Sequence, residues 1–404
     1  MASIESLKQG PDHVEAGRAP RLILFLTVFI DLLGFGIVIP FLPMFAERMG
    51  IGAAGIGLIF SSYSLMQFIF APILGRMSDR FGRKPIIMLG LIGSSLGYLV
   101  YGFADSFFWL LAARAIHGAC AATISTAQAY VADTTDERDR AKGMGLIGAA
   151  FGLGFVLGPA VGGILGHTSL RAPVFFASAL TFGNFLFAAF RLPESHYPDR
   201  SRRLDLRHFI APVLAIPREL VQHRLARMFA IAFLLTFSFA TLEATFALMV
   251  PAIYGYGAFG IGVLLAFTGL MQAVAQGYLL GVIVHKVGEA RLVRLGLVAM
   301  AIGLAPMGTI ASRDALLAML AIIAVGYGLA SPSIASLISR NTERHLQGEV
   351  LGVNQSALSL ARICGPIAGG ILYQLMGPSA PYFGGAAIAL LAFALCNGIE
   401  TGGV

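Results

Sequence analysis

The sequence predicts an all-helical integral membrane protein in which twelve spanning helices form two related halves. Of its 404 residues, 57% are hydrophobic and only 12% are charged. A soluble domain of this length could not bury so much apolar surface, so the composition indicates a membrane protein. Two further observations support this fold class: a series of apolar runs of spanning length, and an internal repeat of the Gly-Pro pattern described below.

The apolar runs are separated by polar segments, and each has roughly the ~20 residues that a spanning helix requires. They lie near 22–44, 54–75, 85–104, 107–131, 143–165, 172–190, 226–250, 259–284, 292–310, 314–338, 349–374 and 379–398. We divide the chain into an N-terminal tail (1–21), a first six-helix half (22–191), a linker (192–225), a second six-helix half (226–399) and a C-terminal tail (400–404).

The distribution of Lys and Arg predicts the orientation. If both termini are cytoplasmic, 23 of the 28 cations lie in cytoplasmic loops and tails, and only Arg48, Arg171 and Arg313 lie outside. The remaining two, Arg114 and Arg362, fall within apolar runs. This bias agrees with the positive-inside rule. We therefore expect a protein of the plasma membrane, in bacteria the inner membrane, with both termini in the cytoplasm and the lipid bilayer around it.

Several functional classes lack support in the sequence. The net charge of +7 does not indicate nucleic-acid binding, since the cations concentrate in loops on one predicted side. The three cysteines lie in apolar runs without disulfide or metal-ligand spacing. No nucleophile–base pair and no ATP-binding Gly-Lys motif is present. We expect no enzymatic activity, no metal and no cofactor, with a proton gradient as the energy source and a monomer as the working unit.

The two halves repeat each other in sequence. The fifth and eleventh runs contain the pattern Gly-Pro-x-x-Gly-Gly-Ile-Leu, beginning at Gly158 and at Gly365, which are 207 residues apart. At the same offset Gly145 corresponds to Gly352. Both copies have the same orientation. A parallel repeat of this kind predicts a substrate cavity between the halves near the middle of the membrane.

Four motifs carry a family resemblance. A charged stretch between the second and third runs, residues 75–84, reads GRMSDRFGRK, and the first run contains LGFGIVIPFLP from Leu33. The fourth run has Arg114 followed by His117-Gly118, and the fifth has the Gly-Pro pattern. With these motifs the chain resembles the major facilitator superfamily, and within it the drug:proton antiporters with twelve helices. The nearest likeness is to the tetracycline-efflux branch, partly through Asp31 and Asp133.

The resemblance implies two six-helix halves related by pseudo-two-fold symmetry that expose a cavity alternately to each side. It also implies proton-coupled export of small lipophilic compounds. Helices three and eight lack the acidic and histidine residues of tetracycline exporters, so tetracycline itself is not indicated. Two alternatives on the same fold stay open: an exporter or importer of one metabolite, such as a sugar, lipid or siderophore, and a passive facilitator.

Ionisable residues within the predicted membrane segments are the candidate proton-coupling residues. A charge at the bilayer centre costs at least ~2.5–3.5 kcal/mol, so such residues normally face the bundle interior or water. Asp31 lies roughly 14 Å from the cytoplasmic end of the first helix. We expect Asp31 or Glu243 to carry the proton, and the resemblance assigns Arg114 to coupling through a nearby acid, for which Asp31 is one candidate. The predicted substrate cavity contains Asp31, His117, Phe237, Glu243, Gln272 and Gln276.

Two further groups of residues are expected to control the movement of the halves. The predicted conformational latch, which would pair across the halves in the outward-facing state, contains Gly75, Asp79, Arg80, Gly82, Arg83 and Arg362. The predicted packing motif of the fifth and eleventh helices contains Gly154, Gly158, Pro159, Gly162, Gly163, Gly365, Pro366, Gly369 and Gly370. Small residues there would let helix backbones approach closely.

Overall fold

The computed structural model describes residues 18–121, 123–135, 137–195, 223–343 and 346–396, and these residues are almost wholly helical. The first half contains α1 (Arg18–Val38), α2 (Ala53–Phe81), α3 (Arg83–Phe103), α4 (Phe107–Cys120 and Thr123–Thr134), α5 (Glu137–Gly166) and α6 (Ala172–Arg191). The second contains α7 (His223–Tyr254), α8 (Ala258–Val274, Ala275–Leu279 and Leu280–Val287), α9 (Glu289–Leu304), α10 (Arg313–Arg340), α11 (Gln347–Met376) and α12 (Ala380–Leu395). A short 3-10 turn, Ile39–Phe41, and a seven-residue helix, Leu42–Arg48, extend α1.

The helices have the lengths and composition of membrane spans. Ten segments of the described chain are long and apolar enough to cross a bilayer. The other two, α9 and α12, have 16 residues each, about 24 Å at 1.5 Å per residue. The twelve segments follow the predicted order, which confirms the all-helical fold class. Most of the predicted linker and of both tails lies outside the described residues.

The charged stretch 75–84 lies between two predicted spans, where a loop with turns at Gly75 and Gly82 would be expected, but most of it is helical. Residues Gly75 to Phe81 form the last two turns of α2, and the chain turns only at Gly82, where φ is 103°. Gly75 is helical and makes no turn. Hydropathy places the helix end where the membrane ends, whereas this helix continues through Pro72 and Gly75 into the polar phase and ends only at Gly82. The equivalent turn of the second half, at Gly288, has a φ of 80°.

The same helix pairs recur in the two halves. In the first half α1 packs on α5, and α3 packs on α4 and α6. The second half repeats this arrangement, with α7 on α11 and α9 on α10 and α12. The contacts between the halves are also equivalent, since α2 packs on α11 and α5 packs on α8. This pattern is that of two similar units related by a pseudo-two-fold axis.

The glycines of the predicted packing motif lie at these helix contacts. Gly154, Gly158 and Gly162 face α1, and a Cβ at Gly158 would lie 2.7 Å from the Cα of Gly36. Gly163 faces α8 instead, where a Cβ would lie 3.3 Å from the Cα of Gly262. Any larger residue at Gly158 would push α1 away from α5. In the second half Gly365 and Gly369 face α7, and Gly370 faces α2.

Among the described residues, the hydrogen bonds between α2 and α11 lie toward the end of the bundle opposite Arg83. There Ser61 Oγ of α2 donates to the carbonyl of Ile363 in α11 at 2.5 Å, and the amide of Ala54 donates to Gln374 Oε1 at 3.1 Å. Toward the Arg83 end, each of the four helices α2, α5, α8 and α11 has a glycine at which an added Cβ would have no neighbouring atom within 4 Å. These glycines are Gly75, Gly145, Gly281 and Gly352. A cleft between the halves therefore opens at the Arg83 end.

Candidate transport site

The Arg114 side chain lies inside the first half and is only 3% exposed. Its guanidinium carbon stands 4.4 Å from the ring centroid of Tyr63, with the rings of Phe35 and Phe60 at 5.8 Å and 5.9 Å. Its Nε and one terminal nitrogen have no hydrogen-bond partner among the described residues. The cation is held by aromatic faces, which attract a charge through their quadrupole, and two of its donors stay free for another group.

Asp31 lies beside the break in α4. Its nearest polar neighbours are the hydroxyls of Thr123 and Ser94, and Asp31 Oδ1 is buried without a hydrogen bond in the described structure. Thr123 begins the second segment of α4. At the break, Gln67 Nε2 donates to the carbonyl of Ala121 at 3.4 Å.

Glu243 lies within electrostatic range of Arg114. Glu243 belongs to α7 of the second half, so this interaction joins the two halves. Glu243 is also within electrostatic range of Arg362 of α11. No ion pair between Asp31 and Arg114 occurs among the described residues, although Tyr63 interacts electrostatically with both. Glu243 is therefore a further candidate partner for Arg114, and the pairing of Arg114 with Asp31 stays a prediction.

His117 lies one helical turn beyond Arg114 and is enclosed by aromatic rings. Its ring centroid is 4.6 Å from that of Tyr98, 5.0 Å from that of Tyr63 and 5.9 Å from that of Phe35. His117 Nε2 is 3.4 Å from the Tyr98 hydroxyl, and Nδ1 is buried without a partner in the described structure. His117 Nδ1 is therefore a buried polar atom beside the Arg114 cage that can accept or donate a hydrogen bond.

The remaining predicted cavity residues lie in the second half. Gln276 lies in the Ala275–Leu279 segment of α8, which has π-helical geometry, and it lines a cavity with α7, α10 and α11. Gln272 lies one turn earlier, and its backbone packs against Gly328 of α10. Phe237 is half-buried on α7, with its ring 5.9 Å from that of Phe233. Of these three, Gln276 has the clearest position for contact with a ligand.

Comparison with known proteins gives the family. Two family models match, the Major Facilitator Superfamily over residues 228–397 and the MFS_1 like family over residues 13–177. Multidrug resistance protein 2 of Bacillus subtilis (strain 168) is 33% identical, with 88% of each chain covered. The class C tetracycline resistance protein of Escherichia coli is 32% identical over 86% of this chain and 87% of that protein. The chain belongs to the major facilitator superfamily.

Solved structures agree with this family. The human organic anion transporter MFSD10 (TETRAN) has a TM-score of 0.70 and 27% identity, covering 96% of this chain and all of that one. The nucleoside transporter NupG has a TM-score of 0.76 at 14% identity, with 94% and 99% of the two chains covered. The predicted family and fold are confirmed. Members of this superfamily are transporters rather than enzymes.

In this major facilitator chain, the Arg83 cluster connects three helices of the first half. Arg83 Nη1 pairs with Asp79 at 2.6 Å, and Arg83 Nε pairs with Asp133 of α4 at 2.8 Å. Glu194, after α6, accepts from the amide of Arg83 at 2.8 Å and so caps the start of α3. These contacts all lie within one half, so the predicted pairing of the latch across the halves stays a prediction. Arg80 lies over the ring of Phe81.

Several residues around the charged site were not recognised from the sequence. Tyr63 and Tyr98 contact the Arg114 and His117 side chains, and Asp133 is the second partner of Arg83. Tyr327 of α10 lies within electrostatic range of Glu243 and Arg362. A tyrosine in an apolar run resembles a packing residue, since its hydroxyl gives no periodic signal. These tyrosines are distinguished only by their position on the side of the helix that faces the bundle interior.

Proposed function

We propose that this protein is a proton-coupled exporter of small lipophilic compounds that works by alternating access, as a monomer in the bacterial inner membrane. The observation that carries the proposal is the buried Arg114 of the first half, which aromatic rings enclose, which keeps two donors without partners among the described residues, and which lies within electrostatic range of Glu243 in the second half. Glu243 is a carboxylate that a proton or a cationic substrate can neutralise. The multidrug and tetracycline resistance relatives support export as the direction.

The charges of the site are balanced between the halves. Two acids, Asp31 and Glu243, share the interior with two cations, Arg114 and Arg362. Attraction between such charges is strong in a medium of low dielectric constant. Protonation of Glu243 removes its attraction to Arg114 and to Arg362, and with it one link between the halves. A proton and a cationic substrate compete for the same carboxylate, so exchange of one for the other couples the two fluxes.

The second acid, Asp31, has a separate polar environment of hydroxyl groups and a helix terminus. The Asp31 carboxylate therefore does not depend on Arg114 to balance its charge. We assign the exchange of a proton for the charged part of a substrate to Glu243, with Asp31 as a second acid that the same charged part can contact. His117 lies near Arg114 and Tyr98 in the same half and borders this polar region.

The cleft opens at the Arg83 end, which the distribution of Lys and Arg makes cytoplasmic. The described conformation then corresponds to the inward-facing state. In this state Asp79 and Arg83 pair with each other. Closure of the cleft brings the end of α2 toward α11, where Asp79 can leave Arg83 for a partner on the second half. The latch therefore acts in the outward-facing state.

Transport by purified protein in liposomes with a pH indicator inside tests the proposal. A panel of lipophilic dyes, one at a time, is driven by an imposed proton gradient. We expect substrate-dependent proton movement that falls at least tenfold in Glu243→Gln and in Asp31→Asn. The exposed acids Glu47 and Asp105 supply the matched controls Glu47→Gln and Asp105→Asn, which keep wild-type rates. Uptake without proton movement would instead establish a passive facilitator.

A metabolite transporter on the same fold is the second candidate. It would move one sugar, lipid or siderophore and none of the dyes. The same liposome assay separates a drug exporter from a metabolite transporter, because a metabolite transporter would give a proton signal only when its own metabolite is added.

A further inference from the structure

A cavity of about 200 Å³ lies wholly within the second half, on the side of α7, α8, α10 and α11 that faces the bundle interior. It is separate from Asp31 and the Arg114 cage of the first half. Its lining contains Ala232, Leu235, Thr236, Gln276, Ser331, Pro332, Ile334, Ala335, Asn354 and Leu358. With a molecule of liquid water occupying about 30 Å³, this volume suits a substituted ring better than a single solvent molecule.

The lining combines an apolar wall with four neutral polar side chains: Thr236, Gln276, Ser331 and Asn354. No charged residue belongs to it. Asn354 is only 6% exposed, and its Oδ1 has no hydrogen bond among the described residues. A buried amide acceptor without a partner costs free energy, and here it borders a cavity that can supply one. The missing partner is a hydrogen-bond donor.

The helix that carries Gln276 departs from regular geometry at this place. The segment Ala275–Leu279 is π-helical, between regular α-helical segments on both sides. Such insertions are rare and occur mainly at functional sites, since they shift the side chains that follow around the helix. Gln276 is exposed within the bundle, whereas the adjacent Ala275 is fully buried against Gly328 of α10. The irregularity therefore presents the amide at the cavity.

One side chain connects this cavity to the charged site. The Tyr327 hydroxyl is next to the hydroxyls of Ser331 and Thr236, both of which line the cavity. The same tyrosine interacts electrostatically with Glu243 and Arg362, and its ring stacks on Phe239 with centroids 4.1 Å apart. A ligand in the cavity can therefore extend past Tyr327 to the carboxylate of Glu243.

We infer that this cavity is a subsite for an uncharged hydrogen-bond donor, such as a carboxamide or hydroxyl group, on the apolar part of a transported cation. The inference rests on the proposed function and adds a requirement for the neutral part of the substrate. The cationic part of the substrate interacts with the carboxylates, and the neutral donor binds Asn354 Oδ1 with help from Gln276. Apolar side chains, Leu235, Ile334 and Leu358, enclose the carbon skeleton.

A matched pair of ligands tests the inference. The probes are triphenylphosphonium cations that carry a terminal primary carboxamide or the N,N-dimethylcarboxamide, which lacks the donor. Their dissociation constants are measured calorimetrically on detergent-purified full-length protein, at one pH and without a proton gradient. We expect the primary amide to bind about tenfold more tightly, the change typical of a buried acceptor that gains a donor.

Variants of the lining assign this preference to the cavity. Asn354→Leu keeps the size of the side chain and removes the acceptor. We expect it to abolish the preference while the dimethylamide keeps its affinity within about twofold. Gln276→Met, at an exposed position that tolerates substitution, reduces the preference about threefold. The control is Gln128→Met, an exposed glutamine of α4 outside the cavity, which keeps the full preference.

The possible results separate this inference from the proposed function. Equal affinity of the wild type for the two probes overturns the subsite, as does a preference that persists in both Asn354→Leu and Gln276→Met. Failure of the wild type to bind either probe overturns it too. Proton-driven transport of the dye panel is measured separately and does not depend on the amide. A transporter that couples protons but ignores the amide keeps the proposed function and loses only the subsite.

Discussion

Glu289 of α9 and Arg340 of α10 form an ion pair of 3.2 Å at the positions that repeat those of Arg83 and Asp133, with the two charges exchanged. In both halves the pair joins the start of one helix to the end of the next. A serine hydroxyl supports the buried member, since Ser78 Oγ accepts from Arg83 at 2.6 Å and Ser336 Oγ donates to Glu289 at 2.7 Å. The two halves therefore share the contact, but the positions of the acid and the cation are exchanged.

The exchange makes the two pairs differ in strength. Arg83 is 9% exposed and binds two acids, whereas Arg340 is 72% exposed and binds one. An exposed ion pair contributes little, and a buried charge without its partner costs much more. The first-half pair is therefore the stronger structural link, and it belongs to the predicted latch.

Reversal of the second-half pair tests this equivalence. We expect Glu289→Gln to lower the melting temperature of the purified protein by about 3–6 °C, because it removes the negative charge that pairs with Arg340 and that strengthens the hydrogen bond from Ser336. The double variant Glu289→Arg with Arg340→Glu restores the first-half polarity and recovers at least half of that loss. Thermal unfolding in detergent measures both. Additive losses in the double variant would show that the charges do not interact.

Removal of Asp79 from the latch is expected to slow transport without unfolding the protein. Asp79→Asn leaves Arg83 paired with Asp133, so the described conformation keeps a partner for its buried cation. The outward-facing state loses the proposed acid of the latch. Transport falls about tenfold while the melting temperature changes by less than about 2 °C. The measurements are liposome uptake and thermal unfolding of the same preparation. Wild-type turnover in this variant would refute the latch.

Asp133 separates the structural contribution of the cluster from the latch. Asp133→Asn weakens the ion pair that joins α3 to α4, whereas Asp79 is only four residues before Arg83 in sequence, so we expect a larger loss of thermal stability than in Asp79→Asn. Comparison of the melting temperatures of the two purified variants shows which acid contributes more to the stability of the first half. Equal losses of stability in both would indicate that the two acids have the same role.

Apolar run length and loop charge were enough to predict the fold of this chain. The twelve segments, the two halves and the Gly-Pro contacts of α5 and α11 follow from periodic, local features. The stretch 75–84 shows where this reasoning fails, because hydropathy cannot distinguish a loop from a helix that continues into the polar phase. The π-helical segment at Ala275–Leu279 has no sequence pattern of its own, since it reflects packing of α8 against α10.

The partners of the buried charges could be predicted only in part. The sequence identifies Asp31, Arg114, Glu243 and Arg362 because charges in apolar runs are rare. Which acid meets which cation depends on helix rotation and on how the halves face each other. Arg114 is enclosed by Tyr63 and Phe35 from other helices and senses Glu243 across the cleft. Contacts between residues so distant in sequence leave no local pattern.

The interaction of Glu243 with Arg114 predicts non-additive effects. Each single variant, Glu243→Gln or Arg114→Gln, leaves an opposite charge buried with fewer partners. We expect both to lower the melting temperature, and the double variant to be more stable than the sum of the single losses predicts. A double-mutant cycle on purified protein gives the coupling. The matched cycle of Glu47→Gln with Arg114→Gln, whose partners are far apart, should be additive.

Gln374 is expected to hold the closed end of the cleft. Its Oε1 accepts from the amide of Ala54 at the start of α2, and a Cβ on Gly52 would lie 2.8 Å from the same oxygen. Gln374→Leu removes this acceptor, so the closed end should separate more often. Spin labels at Arg48→Cys and Met376→Cys, in a background without native cysteines, report the distance between the halves there. We expect the longer-distance population to increase about threefold, and Gln128→Leu to leave it unchanged. An unaltered distribution in Gln374→Leu would mean that the glycine contacts of α2 and α11 close this end by themselves.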